Sequence, residues 1–135
     1  MDARELKINN LVDYFGKVKT VIKISKENSQ WYVGCSNGVN EIIDCWNVED
    51  AYDPILLTEE WLLKFFFEQR SNIWHKQVHE GYVSLMIFKE EFKDKIRFVT
   101  TLNIDGNRMP INIKHVHQLQ NLYFALTGEE LTIKS

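Results

Sequence analysis

Residues 115–128 read HVHQLQNLYFALTG and carry the strongest structural signal in the chain. At about 100° per residue, their apolar side chains gather on one stripe of a helix, formed by Val116, Leu119, Leu122, Tyr123 and Leu126. Gly128 follows at the position where a left-handed residue commonly ends a helix. We therefore expect a helix from His115 to Thr127 that buries one face in a core.

Upstream of this helix, the apolar period changes to two, which is typical of half-buried strands. Three strands are expected, at 81–89, 95–104 and 108–113, with a tight hairpin turn at 105–107. Pro110 cannot donate to a strand ladder, so we place the third strand at an edge. The segment predicts an antiparallel three-stranded meander next to the C-terminal helix.

A second helix is expected in the middle of the chain. Thr58 is a suitable N-cap, and Glu59 and Glu60 lie in the first turn, where carboxylates favour the positive end of the helix dipole. Apart from Lys64, residues 61–67 are apolar and occupy nearly the whole circumference, which is typical of a helix between two layers or against a partner. Residues 68–80, which follow, show no clear period.

The N-terminal half reads as several short strands. In residues 17–24 the lysines Lys17, Lys19 and Lys23 share one face, and the opposite face carries Val18, Thr20, Ile22 and Ile24. Two more strands are expected at 30–34 and 39–43, joined by a turn at Asn37-Gly38. The opening segment, ELKINNLV at 5–12, is similar to the entry strand of SH3-like barrels, whose pattern is roughly Gly-Asp/Asn-x-Val followed by several short strands. The predicted fold is therefore α+β, with a β-rich N-terminal half, a central helix, a meander and a C-terminal helix.

Length and composition limit the classes of protein to consider. The 135 residues predict one domain, 1–135, with a subdivision at 1–53 and 54–135 as the alternative. A net charge of -3 argues against a nucleic-acid binder, which usually has a basic surplus. Cys35 and Cys45 form no C-x-x-C pair and the start has no signal-peptide pattern, so we expect a reducing cytoplasm. The apolar runs are too short to cross a membrane.

Three segments resemble a family of small uncharacterised bacterial proteins that is frequent in gut anaerobes and their phage-like elements. They read ELKINNLV at 5–12, PILLTEEWL at 54–62 and HQLQNLYFALTGEEL at 117–131. The resemblance implies no activity. The family tends to have Gly where this chain has Asn9, and a Phe-Gly-Phe where it has residues 65–67. Phe66 therefore adds a large ring at the point where the chain leaves the central helix.

Catalytic and metal-binding patterns are weak. His75 and His79 have the i, i+4 spacing of two ligands on a helix, but Lys76 stands where a general-base Glu would follow. An acidic run, formed by Asp44, Glu49, Asp50 and Asp53, lacks the spacing of a calcium loop. Nucleophile and phosphate-binding motifs are missing. We expect no catalytic residues, no metal and no cofactor.

The most informative polar pattern is on the last helix. Four side chains at i, i+3, i+4 and i+7 share one face: His117, Gln120, Asn121 and Phe124. Amides and aromatic rings together are typical of a recognition surface. In the alternative interpretation, the amides satisfy nearby loop backbone and Phe124 belongs to the core. On the central helix, Leu63 and Phe66 are candidates for a self-association interface.

These observations favour a non-catalytic protein-interaction module that binds a protein partner or itself. The alternative is a nucleic-acid accessory protein of a phage or mobile element, suggested by the barrel similarity and by the three lysines on one strand face. A third hypothesis, an enzyme that uses His75 or His79 beside the acidic run, has the least support.

Overall fold

The computed structural model describes residues 1–36, 42–79 and 83–133 of the chain. Its backbone divides into two compact units. Unit 1 contains residues 1–56 and 115–121, and unit 2 contains residues 57–114 and 122–135. Antiparallel sheets and separate helices occur in the same chain, which confirms the predicted α+β class.

Within its described residues, unit 1 contains one antiparallel sheet. Its strands are β1 (Leu11–Tyr14), β2 (Lys17–Glu27), β3 (Gln30–Ser36), β4 (Ile42–Asn47) and β5 (Tyr52–Asp53). A short 3-10 turn at Ala3–Glu5 precedes the sheet, and one helical turn, α1 (Val48–Ala51), joins β4 to β5. The strand order is β4-β3-β2-β1-β5, so the last strand returns to pair with the first. The β-rich N-terminal half is therefore confirmed.

Two-residue turns connect the first three strands. Both central residues have positive φ, 48° and 84° at Phe15-Gly16 and 50° and 68° at Asn28-Ser29. Positive φ at both positions is what a type I′ hairpin requires, because its twist matches that of the flanking strands. The predicted Asn37-Gly38 turn lies outside the described residues.

The core of unit 1 corrects the predicted faces of β2. Val21 is fully buried, whereas Val18 is 51% exposed. A register shift between Val21 and Lys23 interrupts the alternation, so Val21 pairs with buried Cys35 and Ile24 pairs with buried Val33. Because a bulge adds one residue to one strand only, the side chains after it change faces.

Unit 2, in its described part, contains a five-stranded antiparallel meander. Its strands are β6 (Glu68–Arg70), β7 (Ile73–His79), β8 (Val83–Phe92), β9 (Lys95–Ile104) and β10 (Asn107–Ile111). The three predicted strands are β8, β9 and β10, and β10 with Pro110 lies at the predicted edge. Strands β6 and β7 occupy the segment for which the sequence showed no period.

Two longer helices complete the fold. In α2 (Glu59–Lys64), the Thr58 hydroxyl accepts a hydrogen bond from the Trp61 backbone N–H at 3.4 Å, as expected of the predicted N-cap. This helix ends three residues before Phe67, because Phe66 adopts a positive φ of 64°. Helix α3 (Val116–Thr127) ends at the predicted Gly128, which has a φ of 74° and donates its N–H to the Phe124 carbonyl at 2.7 Å.

Candidate functional site

Gln120, on the polar face of α3, is hydrogen-bonded to the segment that leads into β1. Its Oε1 accepts from the Leu11 backbone N–H at 2.8 Å, and its Nε2 donates to the Asn9 carbonyl at 3.3 Å. Gln120 is only 3% exposed. Both ends of the amide therefore serve the fold of unit 1.

Asn121 is hydrogen-bonded to the same segment. Its Oδ1 accepts from Asn10 Nδ2 at 2.8 Å, and its Nδ2 donates to the Glu5 carbonyl at 2.6 Å. Asn10 is fully buried, and its own Oδ1 accepts from the Lys7 backbone N–H at 2.7 Å. A buried amide needs hydrogen-bond partners for both its N–H donors and its oxygen. The bond between Asn10 and Asn121 provides a partner for a donor of the first and for the oxygen of the second.

His117 lies beside these amides and is fully buried. Its Nε2 is 3.4 Å from Glu5 Oε2, and its ring stacks on that of His115 with centroids 5.8 Å apart. Among the described residues, Nδ1 has no hydrogen-bond partner. Burial lowers the pKa of His117, and this effect exceeds the opposing effect of the Glu5 carboxylate. The imidazole is therefore neutral at neutral pH.

The four predicted binding residues thus do not form one solvent-facing surface. His117 and Gln120 are buried, Asn121 is half-buried, and Phe124 is 38% exposed. The hydrogen bonds of the two amides correspond to the alternative interpretation, in which they satisfy nearby backbone. Leu63 and Phe66 are each 48% exposed. A binding role for these six residues stays a prediction.

A cavity of about 600 Å³ opens on another part of unit 1. We call it the Trp31 cavity. Its wall includes the side chains of Arg4, Lys26, Ser29, Gln30, Trp31 and Asn47. Its size falls within the range of cavities that hold small ligands or part of a peptide.

An aromatic ring and an amine face each other in this wall. Lys26 and Trp31 are cross-strand partners in the β2–β3 hairpin, and Lys26 Nζ lies 5.4 Å from the centroid of the Trp31 ring. Such a contact is a cation–π interaction, worth roughly 0.5–1 kcal/mol at an exposed site. The half-buried indole therefore offers ring surface next to a positive charge.

Two amides and an ion pair also line the wall. Asn47 Nδ2 donates to Gln30 Oε1 at 3.1 Å, which connects the end of β4 to the start of β3. The Arg4 guanidinium donates to both carboxylate oxygens of Asp2, at 2.8 to 3.2 Å. Hydrogen bonds from Arg4 lower the pKa of Asp2, and the same contact raises the pKa of Arg4. Both groups therefore stay charged through the neutral range.

Sequence reasoning did not single out Trp31 or Lys26. The wall combines residues from the N-terminal turn, the β2–β3 hairpin and the end of β4, which are separated along the chain. One local signal was present. A two-residue turn at Asn28-Ser29 necessarily places residues 26 and 31 opposite each other, so an amine and an indole become neighbours.

The strand register does not keep the three lysines of β2 together. Lys19 pairs with buried Val12, so it lies on the core side of the sheet at the strand's beginning. Lys23 pairs with Gly34, next to the core pair of Ile24 and Val33, and it therefore lies on the opposite side. The prediction that Lys17, Lys19 and Lys23 share one face of the strand is wrong, because the bulge after Val21 reverses the alternation of side chains between the two faces.

The histidine and acidic patterns considered as a metal site or an enzyme do not come together as a metal site in the described residues. His75 lies on a strand, β7, where helical i, i+4 spacing does not apply. The side chains of His79, Asp44, Glu49 and Asp50 lie outside the described part of the chain. Within that part, no group of three or more His, Cys, Asp or Glu side chains is placed to hold a metal ion. No helix there has the length and apolar character needed to cross a bilayer.

No family model matches the chain, and no match is found among curated proteins or solved structures. The function is therefore inferred from the geometry of the described residues.

Proposed function

We propose that the chain is a non-catalytic protein-interaction module whose Trp31 cavity binds an extended segment of a partner protein. One observation carries the proposal. The half-buried Trp31 ring, with Lys26 Nζ 5.4 Å from its centroid, borders a cavity of about 600 Å³ that also contains amide side chains. Tryptophan is enriched among the residues that contribute most to protein interfaces, and amides give direction to backbone hydrogen bonds.

The charges of the wall indicate which segment fits. Lys26 and Arg4 are positive, and Asp2 neutralises part of this charge through its contact with Arg4. The remaining positive charge attracts a carboxylate, while the indole favours an apolar or proline side chain. The expected partner segment therefore combines an acidic residue with a neighbouring apolar residue.

We also propose that unit 1 is a small SH3-like barrel. The order β4-β3-β2-β1-β5 supports this proposal, because a last strand that pairs with the first brings the ends of a meander together. The single helical turn α1 between β4 and β5 is compatible with such a return. Barrels of this kind host many functions, so the fold alone does not determine the ligand.

Nucleic-acid binding is the weaker alternative. A ring beside a lysine can also stack on a base and contact a phosphate. However, the net charge is -3, and Lys23 lies on the other side of the sheet from Lys17 and Lys19. No continuous basic stripe along β2 is therefore left to follow a phosphate backbone.

A peptide library displayed on phage and panned against the immobilised chain tests the proposal. We expect enrichment of peptides that contain an acidic residue next to an apolar or proline residue. Lys26→Glu should lower the affinity of a selected peptide by about tenfold, which corresponds to the loss of roughly 1.4 kcal/mol. Lys23→Glu is the matched control, since it reverses the same charge on the same strand but on the other side.

Two results would contradict the proposal. One is equal weakening of the peptide by Lys23→Glu and Lys26→Glu, which would indicate only a general charge effect. The other is an absence of selected peptides combined with binding of a single-stranded oligonucleotide that weakens with added salt.

Trp31→Ala, checked for folding by circular dichroism, should abolish peptide binding.

A further inference from the structure

The two faces of the unit 2 sheet differ in burial. Along β8, Leu85 and Ile87 are 0% exposed, whereas the alternating residues Met86 and Phe88 are half-buried. Successive side chains of a strand point to opposite faces of its sheet. One face of the sheet is therefore closed, and the other, which we call the outer face, carries Met86 and Phe88.

Helix α2 lies on the closed face. Lys89, four residues after Leu85 in β8, points to this face, and its Nζ lies 2.6 Å from Glu59 Oε1 in the first turn of α2. Lys76 pairs with Leu85, and its Nζ donates to the carbonyl of Phe65 at the end of α2, at 3.0 Å. Both ends of α2 thus contact side chains of the closed face.

The strand register joins the apolar residues of the outer face into one stripe. Ile73 pairs with Phe88, and Phe88 pairs with Val99, so these three form a row across β7, β8 and β9. The residues of the adjacent row, joined by the same ladders, are His75, Met86 and Thr101. The solvated face of an antiparallel sheet usually carries polar residues. A continuous apolar stripe is instead typical of a surface that another protein covers.

Two opposite charges lie at one edge of this stripe. Arg70 pairs with Ile73 and extends the first row onto β6, and Glu68 pairs with His75 and extends the second row. The Arg70 Nη2 lies 3.7 Å from Glu68 Oε2, and both side chains are largely exposed, so this ion pair is weak. Each member can exchange its partner for an equivalent one at little cost.

We propose that two copies of the chain associate through the outer faces of their unit 2 sheets. A two-fold axis that runs across the strands, between the two rows, places Phe88 opposite Met86 of the second copy. The same axis places Arg70 opposite Glu68 of the second copy, and symmetry repeats every such contact. The surface is thus complementary to itself in both charge and apolar character, which favours a second copy as its partner.

The size of the outer face sets the strength of the dimer. At about 4.8 Å between strands, five strands are about 24 Å wide, and six residues of a strand extend about 20 Å. Each copy therefore covers roughly 500 Å² and the dimer roughly 1,000 Å², at the low end of specific interfaces. A reversible dimer with a Kd of about tens of micromolar follows. This association goes beyond the proposed function, because it does not involve the Trp31 cavity of unit 1.

Sedimentation equilibrium of the full chain, from micromolar to millimolar concentration, tests the proposal. Phe88→Lys should weaken the dimer at least about a hundredfold, because it places a charge in the apolar stripe of both copies. Leu63→Glu is the control, since Leu63 is 48% exposed but belongs to α2, on the closed side of the sheet. It should leave the dimer unchanged. Circular dichroism checks that both variants fold.

Charge reversal at exposed positions gives a test that leaves the fold intact. Glu68→Arg and Arg70→Glu should each weaken the dimer about tenfold, because like charges then face each other across the two-fold axis. The double variant should restore the dimer. Glu90→Arg and Arg97→Glu are the matched controls, since this cross-strand ion pair of 2.6 Å lies on the outer face beyond the two rows. Neither should change the Kd more than about twofold.

Four results would overturn the proposal. The first is a chain that stays monomeric over the whole concentration range. The second is a dimer that Phe88→Lys does not weaken, and the third is a dimer that Leu63→Glu weakens, which would place the interface on the central helix. The fourth is failure of the double charge reversal to recover the affinity lost by its two single variants.

Discussion

At His117, burial and an acidic neighbour act in opposite directions on one imidazole. The ring is fully buried and stacks on His115, and both features disfavour the protonated form of His117. Glu5 Oε2 lies 3.4 Å from its Nε2 and favours protonation. The net effect is a pKa below the ordinary value of 6.5. The folded chain therefore binds this proton less readily than the unfolded chain does.

This difference predicts a pH-dependent loss of stability. As the pH falls below about 6.5, the His117 imidazole becomes protonated in the unfolded chain but stays neutral in the folded chain. The free energy of unfolding therefore decreases until the pH reaches the lower pKa of the folded state. Urea unfolding at pH 7.5 and pH 5 should show this decrease, and His117→Gln, which cannot titrate, should reduce it. Parallel pH profiles for the two proteins would mean that other groups cause the loss.

At the scale of elements, the first two turns of α3 bind the segment that leads into β1. Gln120 and Asn121 together contact Glu5, Asn9, Asn10 and Leu11 through four hydrogen bonds. The beginning of α3 is itself closed by Gln118, whose Oε1 accepts from the His115 backbone N–H at 3.0 Å. The helix therefore holds residues 5–11 in place. Most of this segment precedes β1 and belongs to no strand.

Gln120→Leu tests this role of the helix. Leucine has a similar volume, but it leaves the buried Leu11 N–H without its side-chain partner, so we expect a loss of about 1–3 kcal/mol in the free energy of unfolding. Gln69→Leu is the control, since Gln69 is exposed and should change stability by no more than about 0.5 kcal/mol. Equal values for the two variants in urea unfolding would show that the Gln120 hydrogen bonds contribute nothing.

At the scale of the whole molecule, each compact unit combines segments that are distant in the chain. Unit 1 contains residues 1–56 and also residues 115–121. Two of those last seven residues, Gln120 and Asn121, accept hydrogen bonds from the Leu11 N–H and from Asn10 Nδ2. The segment that leads into the N-terminal sheet therefore depends on hydrogen bonds from residues outside 1–56.

A fragment of residues 1–56 should accordingly fold poorly. We expect its ¹H–¹⁵N NMR spectrum to show narrow amide dispersion, since fully buried Asn10 would lose a partner and a small domain has little stability in reserve. Addition of a peptide of residues 113–127 should widen the dispersion. If the fragment alone gave the well-dispersed unit 1 resonances of the full chain, residues 115–121 would be dispensable for this unit.

Features that depend on a few neighbouring residues could be read from the chain itself. Thr58 as an N-cap, Gly128 as a helix end and the turn before Asn107 follow from backbone preferences of single residues. Pro110 at an edge follows from its missing N–H. Local conformational energies suffice for these predictions, and they were enough to establish the α+β class.

Long-range partners decided the rest. In the sequence, the amides of Gln120 and Asn121 are typical of a recognition face. In the fold, they are hydrogen-bonded to residues 5–11, more than 100 positions earlier in the chain. A bulge in β2 sent Val21 rather than Val18 into the core, and strands β6 and β7 formed without a clear apolar period. The Trp31 cavity likewise combines segments that only folding brings together. Hydrogen bonding and packing between distant residues carry no local signature, which is why the three-dimensional structure was needed to locate them.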